Sequence, residues 1–405
     1  MRPRSLFARH PIRSQRRLIW LSLGLAIVAC GSVLARSGLF SSTAPAGRPE
    51  LQRILDRLAI GPERIAPGVT AYVADSHETW VGSSGLANVT TVEPMRPDAR
   101  MRLESVSKAW TATLILQLVG EGRMRLDDTV ERWLPGLLPY GNRITVRELL
   151  NHTSGLIDSN DIMRDPTRYL SQVRDPALHA ELVGVTRGLL ADPAFQFPAV
   201  LWVKFAAALP LLSRPGTSFH YSNIGYKVAG MIAERVSGKP LETLYQQRII
   251  EPLELASAAF DPQGEISGPH ATGYLVQANG KLIDATAWYT GGGGAEAAIV
   301  SDAQDEARFL TALMQGKLLG SAELTAMKTP ASTIGSDYAL GLIVKRSGCG
   351  GTVYTHNGGG AGFKTSVFVS GDGKRVAVLL LNGNTLDSRA DTVASVAANQ
   401  LYCDR

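Results

Sequence analysis

Residues 49–60, PELQRILDRLAI, place apolar positions three and four apart behind an opening proline, which predicts an amphipathic helix. The spacing then changes. APGVTAYVADSHETWVGSSGLA alternates apolar and polar residues on either side of a Ser/His turn, the pattern of a β-hairpin. Helical spacing returns in SVSKAWTATLILQLVGEG, residues 105–122, with Val106, Ala109, Trp110, Leu114, Ile115 and Leu118 as its apolar positions and stops at Gly120 and Gly122. Residues 123–250 read as helices and loops jointed by prolines, among them TVRELLNH, VLWVKFAAAL and SNIGYKVAGMIAERVSG. ATGYLVQANGKLIDAT predicts a second hairpin about Asn279-Gly280. After the glycine run 291–294, SDAQDEARFLTALMQG is helical. Three strand segments follow: YALGLIVKR, GTVYTHNG, and GFKTSVFVSGDGKRVAVLLLN folded about Asp372-Gly373. A helix over 386–401 closes the chain beside Cys403.

Strands near both ends with helices between them imply an α/β (α+β) fold: one antiparallel sheet from N- and C-terminal segments, flanked by helices, with a mostly helical subdomain inserted. The expected division is a leader and linker over 1–47, a sheet subdomain from 48–104 and 291–405, and a helical subdomain over 105–290.

Charge changes the picture only at the N-terminus. The 405 residues carry a formal charge of +5, but residues 1–47 hold seven arginines and no acid, leaving −2 for the remainder. A nearly neutral body removes the electrostatic case for nucleic acid. Arg16-Arg17 precede LIWLSLGLAIVACGSVLA, 18 uncharged residues from Leu18 to Ala35. That is the pattern of an export signal or a short membrane anchor, so the body of the chain is expected outside the cytoplasm: periplasmic, secreted or membrane-anchored. IVAC ending at Cys30 resembles a bacterial lipoprotein box, while VLA and APA offer ordinary cleavage sites. If Cys30 is lipidated or removed, Cys349 and Cys403 remain as an even pair in an oxidising compartment. Two cysteines and seven scattered histidines show no ligand spacing and no HExxH occurs, so neither metal nor cofactor is expected.

The chemistry is concentrated in SVSK. A serine hydroxyl is a weak nucleophile that needs a base in contact. Lys108 lies one helical turn beyond Ser105 on the same face. Trp110 and apolar neighbours would desolvate the amine and lower its pKa toward a neutral base. Ser105 opens a helix, where free N–H groups and the positive dipole end favour an oxyanion. The plain alternative is a polar helix start followed by a surface lysine.

SVSK at 105–108, YSN at 221–223 and HNGG at 356–359, in this order, resemble the three motifs of the penicillin-recognising serine hydrolases. That family comprises D-alanyl-D-alanine carboxypeptidases, class C β-lactamases, and related esterases and D-aminopeptidases. RLDDTVERWLPGLLPYGNRITVRELLNHTSGL, PGTSFHYSNIGYKVAG, GGGG and DGKRVAVLLLNGN extend the resemblance over residues 50 to 403, nearest to secreted D-alanyl-D-alanine carboxypeptidases. It implies a β-lactamase/transpeptidase-like fold and an acyl-serine intermediate on Ser105, with a small peptide, ester or β-lactam as substrate. Tyr221 would take the serine proton and later activate water. A phenol near pKa about 10 suits that role if Lys108 and His356, as cations, lower it. Asn223 would hold the substrate amide and Lys108; its plain reading is a helix cap.

By the same resemblance, the Ser105 and Gly359 N–H groups form the oxyanion hole, and His356, Asn357 and Gly358 line the substrate. Trp288 would line the mouth or pack the core, and His152 would be structural, away from the chemistry. Two departures concern specificity. Asn357 stands where many relatives have threonine, and Ile343 where some carboxypeptidases carry arginine, with Lys345 and Arg346 further on. Both changes weaken the expected recognition of a terminal carboxylate. The leading expectation is an exported D-alanyl-D-alanine carboxypeptidase or D-stereospecific peptidase; a class C-like β-lactamase, an esterase and a non-catalytic penicillin receptor are the alternatives.

Overall fold

The computed structural model describes residues 47–404 apart from 193, 196, 289–293, 332, 333, 386 and 387. The leader, Cys30 and most of the glycine run lie outside the described residues. Among the described residues no helix is long and apolar enough to cross a membrane.

The principal sheet has seven strands: β1 (Gly68–Ala74), β2 (Thr79–Asn88), β3 (Glu93–Pro94), β4 (Ile343–Arg346), β5 (Thr352–Gly359), β6 (Lys364–Ser370) and β7 (Val376–Leu381). Their spatial order is β3-β2-β1-β7-β6-β5-β4, with every neighbouring pair antiparallel. The β1–β7 pairing, Val69 opposite Leu381 through Ala74 opposite Val376, joins the N-terminal hairpin to the C-terminal one. This is the expected α+β sheet. β7 is the uninterrupted run VAVLLL because both of its faces are covered. Ala377, Leu379 and Leu381 pack in one hydrophobic cluster, and Val376, Val378 and Leu380 in the other.

Of the longer helices, α1 (Pro49–Ala59) and the last, Arg389–Cys403, cover the first face through Leu51, Leu55, Ala394 and Leu401. The second face carries the helical region. It includes α2 (Ser107–Gly120), α3 (Pro176–Ala191), α4 (Ala199–Ala207), α5 (Asn223–Ser237) and α6 (Ala303–Met314), and Arg389–Cys403 is numbered α7. Helix α2 is buried on nearly every side, so it has no polar face. Trp110 stacks on Phe309 of α6 and donates to Glu306 Oε2.

Two short pairings fix the nucleophile's surroundings. Met101–Arg102 pairs with Ile299–Ser301, and Leu103 N–H donates to Ile299 O. The second hairpin, Tyr274–Val276 with Leu282–Asp284, forms about Asn279-Gly280 as the sequence predicts. Helix α5 is capped by Ser222, whose Oγ accepts from Gly225 N–H, and ends at Gly238 in the left-handed region.

Candidate active site

Ser105 lies in a single 3₁₀ turn, Glu104–Val106, that runs directly into α2. Lys108, one turn on, is fully buried, with its Nζ 3.0 Å from Ser105 Oγ, 2.7 Å from Asn223 Oδ1 and 3.0 Å from Glu296 O. Two of these partners can only accept. A neutral amine therefore donates both hydrogens to Asn223 and Glu296 and turns its lone pair to the serine hydroxyl. Tyr221 OH donates to Ser105 Oγ at 3.0 Å. Because Ser222 supplies the helix cap, the Asn223 side chain is free to bridge. Its N–H and Nδ2 donate to Asp158 Oδ1 at 2.9 and 3.0 Å, which orients Oδ1 toward Lys108.

Burial sets the protonation states. It lowers Lys108 from its ordinary 10.5 to about 7, against the pull of the Glu296 and Asp158 carboxylates. The surroundings that do this are the Tyr221 and Tyr226 rings, 5.0 and 5.5 Å from Nζ, and the polar bridge, rather than Trp110, which faces α6. For Tyr221 the sequence expectation is reversed. Burial raises its pKa well above the ordinary phenol range, and the hydrogen bond to Ser105 offsets only part of that. His356 cannot serve as the cation that lowers it, since burial and then Lys108 depress its own pKa to about 3. Burial thus favours the phenol form of Tyr221 and the uncharged form of Lys108.

Strand β5 brings the third motif beside the nucleophile. β4 pairs only with Thr352–Thr355, so His356–Gly359 present an open strand edge. Gly360 N–H is bonded to Phe363 O on the β6 side, and successive N–H groups alternate between edges, so the exposed Gly359 N–H faces the open edge. Gly358 is required for close approach, because a methyl group there would overlap Leu103 O. His356 is buried and bonds Tyr338 OH through Nε2 at 2.8 Å, and Tyr338 stands edge-on to Tyr221 with ring centroids 6.3 Å apart. Among the described residues its link to the Tyr221 ring runs through that tyrosine. Asn357 Oδ1 accepts from Ser366 Oγ at 2.8 Å. Trp288 is half-buried beyond the second hairpin, with no hydrogen bond or ring contact to the Ser105 cluster among the described residues.

Lys345 and Arg346 are exposed and pair with Val353 and Thr352, at the end of β5 remote from Gly359. Lys364, opposite Gly359, forms an ion pair with Asp391. Cys349 and Cys403 have Cα atoms 5.5 Å apart and their sulfurs are paired, tying the turn before β5 to the end of α7.

His152 is not remote from the chemistry. Its ring lies 4.1 Å from that of Tyr221, and its Nδ1 accepts from Ser222 N–H. Asp158 and the buried Lys227–Glu296 ion pair also support the cluster, and sequence reasoning missed both. The only available signal was His152 and Asp158 within NHTSGLID, inside the helical subdomain, with nothing local to assign them a partner.

A serine hydroxyl within hydrogen-bond reach of a buried amine and a phenol, beside a strand edge left unpaired among the described residues, is an arrangement suited to acyl transfer. The chain belongs to the Beta-lactamase family, whose model matches residues 52–401. Its fold is that of the β-lactamase and penicillin-binding-protein superfamily of serine hydrolases. Among solved structures it is similar to a D-stereospecific amidohydrolase from Streptomyces sp., with 30% identity, TM-score 0.70, and 84% of this chain and 95% of that one covered. It is also similar to D-amino acid amidase from Ochrobactrum anthropi SV3 complexed with L-phenylalanine amide, with 26% identity, TM-score 0.71, and 87% and 96% covered. Esterase EstB of Burkholderia gladioli is 32% identical over 205 residues, 49% of this chain and 48% of the esterase. Penicillin-binding protein 4* of Bacillus subtilis is 25% identical over 326 residues, 74% and 64%. The chain thus spans about half to two thirds of the length of these curated relatives.

Proposed function

We propose that this protein is an exported acyl-serine hydrolase that cleaves the amide bond on the carbonyl side of a D-amino acid, with D-alanyl peptides of the cell wall as its substrate class. The observation that carries the reading is the buried Lys108 amine, held 3.0 Å from Ser105 Oγ with Asn223 Oδ1 and Glu296 O as its other partners. The substrate lies along the open edge of β5 as an added strand. Lys108 takes the Ser105 proton as Oγ attacks the carbonyl carbon, and the Ser105 and Gly359 N–H groups receive the oxyanion. Tyr221 passes its phenolic proton to the leaving amine and regains one through Ser105's vacated hydrogen-bond position from the Lys108 ammonium. Water then enters along the same path and attacks the ester carbonyl as Lys108 takes its proton; collapse of the intermediate expels Ser105 Oγ, which takes that proton back from the Lys108 ammonium and releases the acid.

The amidohydrolase and amidase neighbours support amide chemistry next to a D-residue. The Ser366-bound Asn357, Ile343 at the arginine position and the Asp391-paired Lys364 support a hydrolase with little dependence on a terminal carboxylate, unlike a carboxypeptidase. The arginine-rich leader and the cysteine pair support export. Fluorescent penicillin followed by intact-mass measurement tests the reading. Wild type should gain one adduct, mapped to Ser105, and Ser105→Ala should gain none; equal labelling of the two would overturn it.

A further inference from the structure

Glu104 immediately precedes the nucleophile and takes no part in the steps above. Its backbone has φ +53°, a left-handed conformation that strains a non-glycine residue and persists where the surroundings enforce it. Its side chain is only 7% exposed and lies over the end of the third motif: a methyl group on Gly360 would overlap both carboxyl oxygens, and one on Gly358 would come within 3.0 Å of Glu104 Cβ. No hydrogen bond to the carboxyl is found among the described residues. The neighbouring cations are directed to other partners: Arg102 to Asp261, Gly264 O and Thr286 O, Lys108 to the serine cluster, and Lys364 to Asp391. A buried carboxyl is stable when it is neutral or when a cation joins it. Burial raises its pKa to about 7, with Arg102, Lys108 and Lys364 pulling down and Glu296 pushing up, so its charge is available to an incoming cation near neutral pH.

The position selects that cation. The Ser105 N–H belongs to the Glu104–Ser105 peptide, and Gly359 lies between the two glycines that pack on Glu104. The carboxyl therefore borders the oxyanion hole. In an α-amino acyl substrate the amino nitrogen is two bonds from the scissile carbonyl carbon, so the ammonium arrives beside this carboxylate when the carbonyl oxygen occupies the hole. We propose that Glu104 is the subsite for the free α-ammonium group of the acyl residue, which makes the substrates amides, esters or peptides of an unblocked N-terminal D-amino acid. This rests on the acyl-serine reading above and narrows its substrate class to D-alanyl groups whose amine is free, excluding those whose nitrogen is already in a peptide bond. A carboxylate beside a developing oxyanion is unfavourable when left unpaired, so a blocked amine is disfavoured twice, by the lost ion pair and by the remaining charge.

The test compares kcat/KM for D-alanine p-nitroanilide with that for its N-acetyl derivative, in the full chain. Wild type should favour the free amine by at least thirtyfold. Glu104→Gln should reduce that ratio at least tenfold, mainly through KM. Glu104→Gly, which suits the left-handed backbone and relieves its strain, should fold and reduce the ratio equally. A wild-type preference for the N-acetyl substrate, or a ratio untouched by both variants, overturns the proposal. Hydrolysis of p-nitrophenyl butyrate by wild type, lost in Ser105→Ala, reports the acyl-serine chemistry separately, so failure of that reading is distinguished from failure of the ammonium subsite.

Discussion

If Lys108 rather than Tyr221 is the base, the pH dependence of acylation is set by the lysine. With a pKa of about 7, roughly three quarters of Lys108 is neutral at pH 7.5, against about one part in a thousand for a lysine at its ordinary value. Tyr221 has moved the other way, so phenolate is negligible at that pH. The sign follows: protonation removes the base, so kcat/KM for a neutral ester should fall about tenfold per pH unit below pH ~7 and level off above it. The assay is kcat/KM for p-nitrophenyl butyrate from pH 5 to 10, in wild type, Lys108→Arg and Tyr221→Phe. Arginine keeps the charge and has no lone pair to give, so Lys108→Arg should lose about 10²- to 10⁴-fold and the limb at 7 with it. Tyr221→Phe, which removes a proton donor that the p-nitrophenolate leaving group does not need, should lose less than about tenfold on this ester and keep the limb. Because Glu104 also titrates near 7, Glu104→Gln is the control, and the limb should survive in it. A wild-type limb near pH 10, or one retained in Lys108→Arg, would refute the assignment of the base.

Two further outcomes are expected. With Lys364 paired to Asp391 and no other cation beside Gly359 among the described residues, a D-alanyl-D-alanine peptide and its C-terminal amide should differ in kcat/KM by less than about a hundredfold, roughly 2.7 kcal/mol; a larger preference for the acid would mean that Lys364 or another cation serves as the anchor. Non-reducing peptide mapping of exported protein should join Cys349 to Cys403, and the Cys349→Ser/Cys403→Ser pair should lose up to about 4 kcal/mol for a closure spanning 54 residues, with a lower Tm and slower acylation; free thiols at both positions would refute the bridge.

The N-terminal hairpin, the Asn279-Gly280 hairpin and the β6–β7 hairpin about Asp372-Gly373 were all legible, because alternation and turn residues are local signals. SVSK on a helix start was legible for the same reason, although Ser105 proves to lie in a 3₁₀ turn ahead of α2. The final helix runs from Arg389 to Cys403 and begins later than its apolar pattern suggested. Helix α2 looked amphipathic but has no exposed face, since its polar residues Ser107, Lys108, Thr111 and Thr113 are taken up by buried partners.

What the sequence by itself determined is therefore the order of elements, the three motifs and the pairing of a serine with a lysine one turn away. The tertiary structure alone decided what those groups are chemically. Asn223 reaches Lys108 across 115 positions and Tyr221 reaches Ser105 across 116. The protonation of Lys108, Tyr221 and His356 follows from burial by segments equally distant in the chain. His152 against Tyr221, Asp158 behind Asn223 and Glu104 beneath Gly360 carry no local signal at all. Periodicity is written by nearest neighbours along the chain, whereas desolvation and charge are sums over neighbours in space, and those exist only once the sheet has closed β1 onto β7.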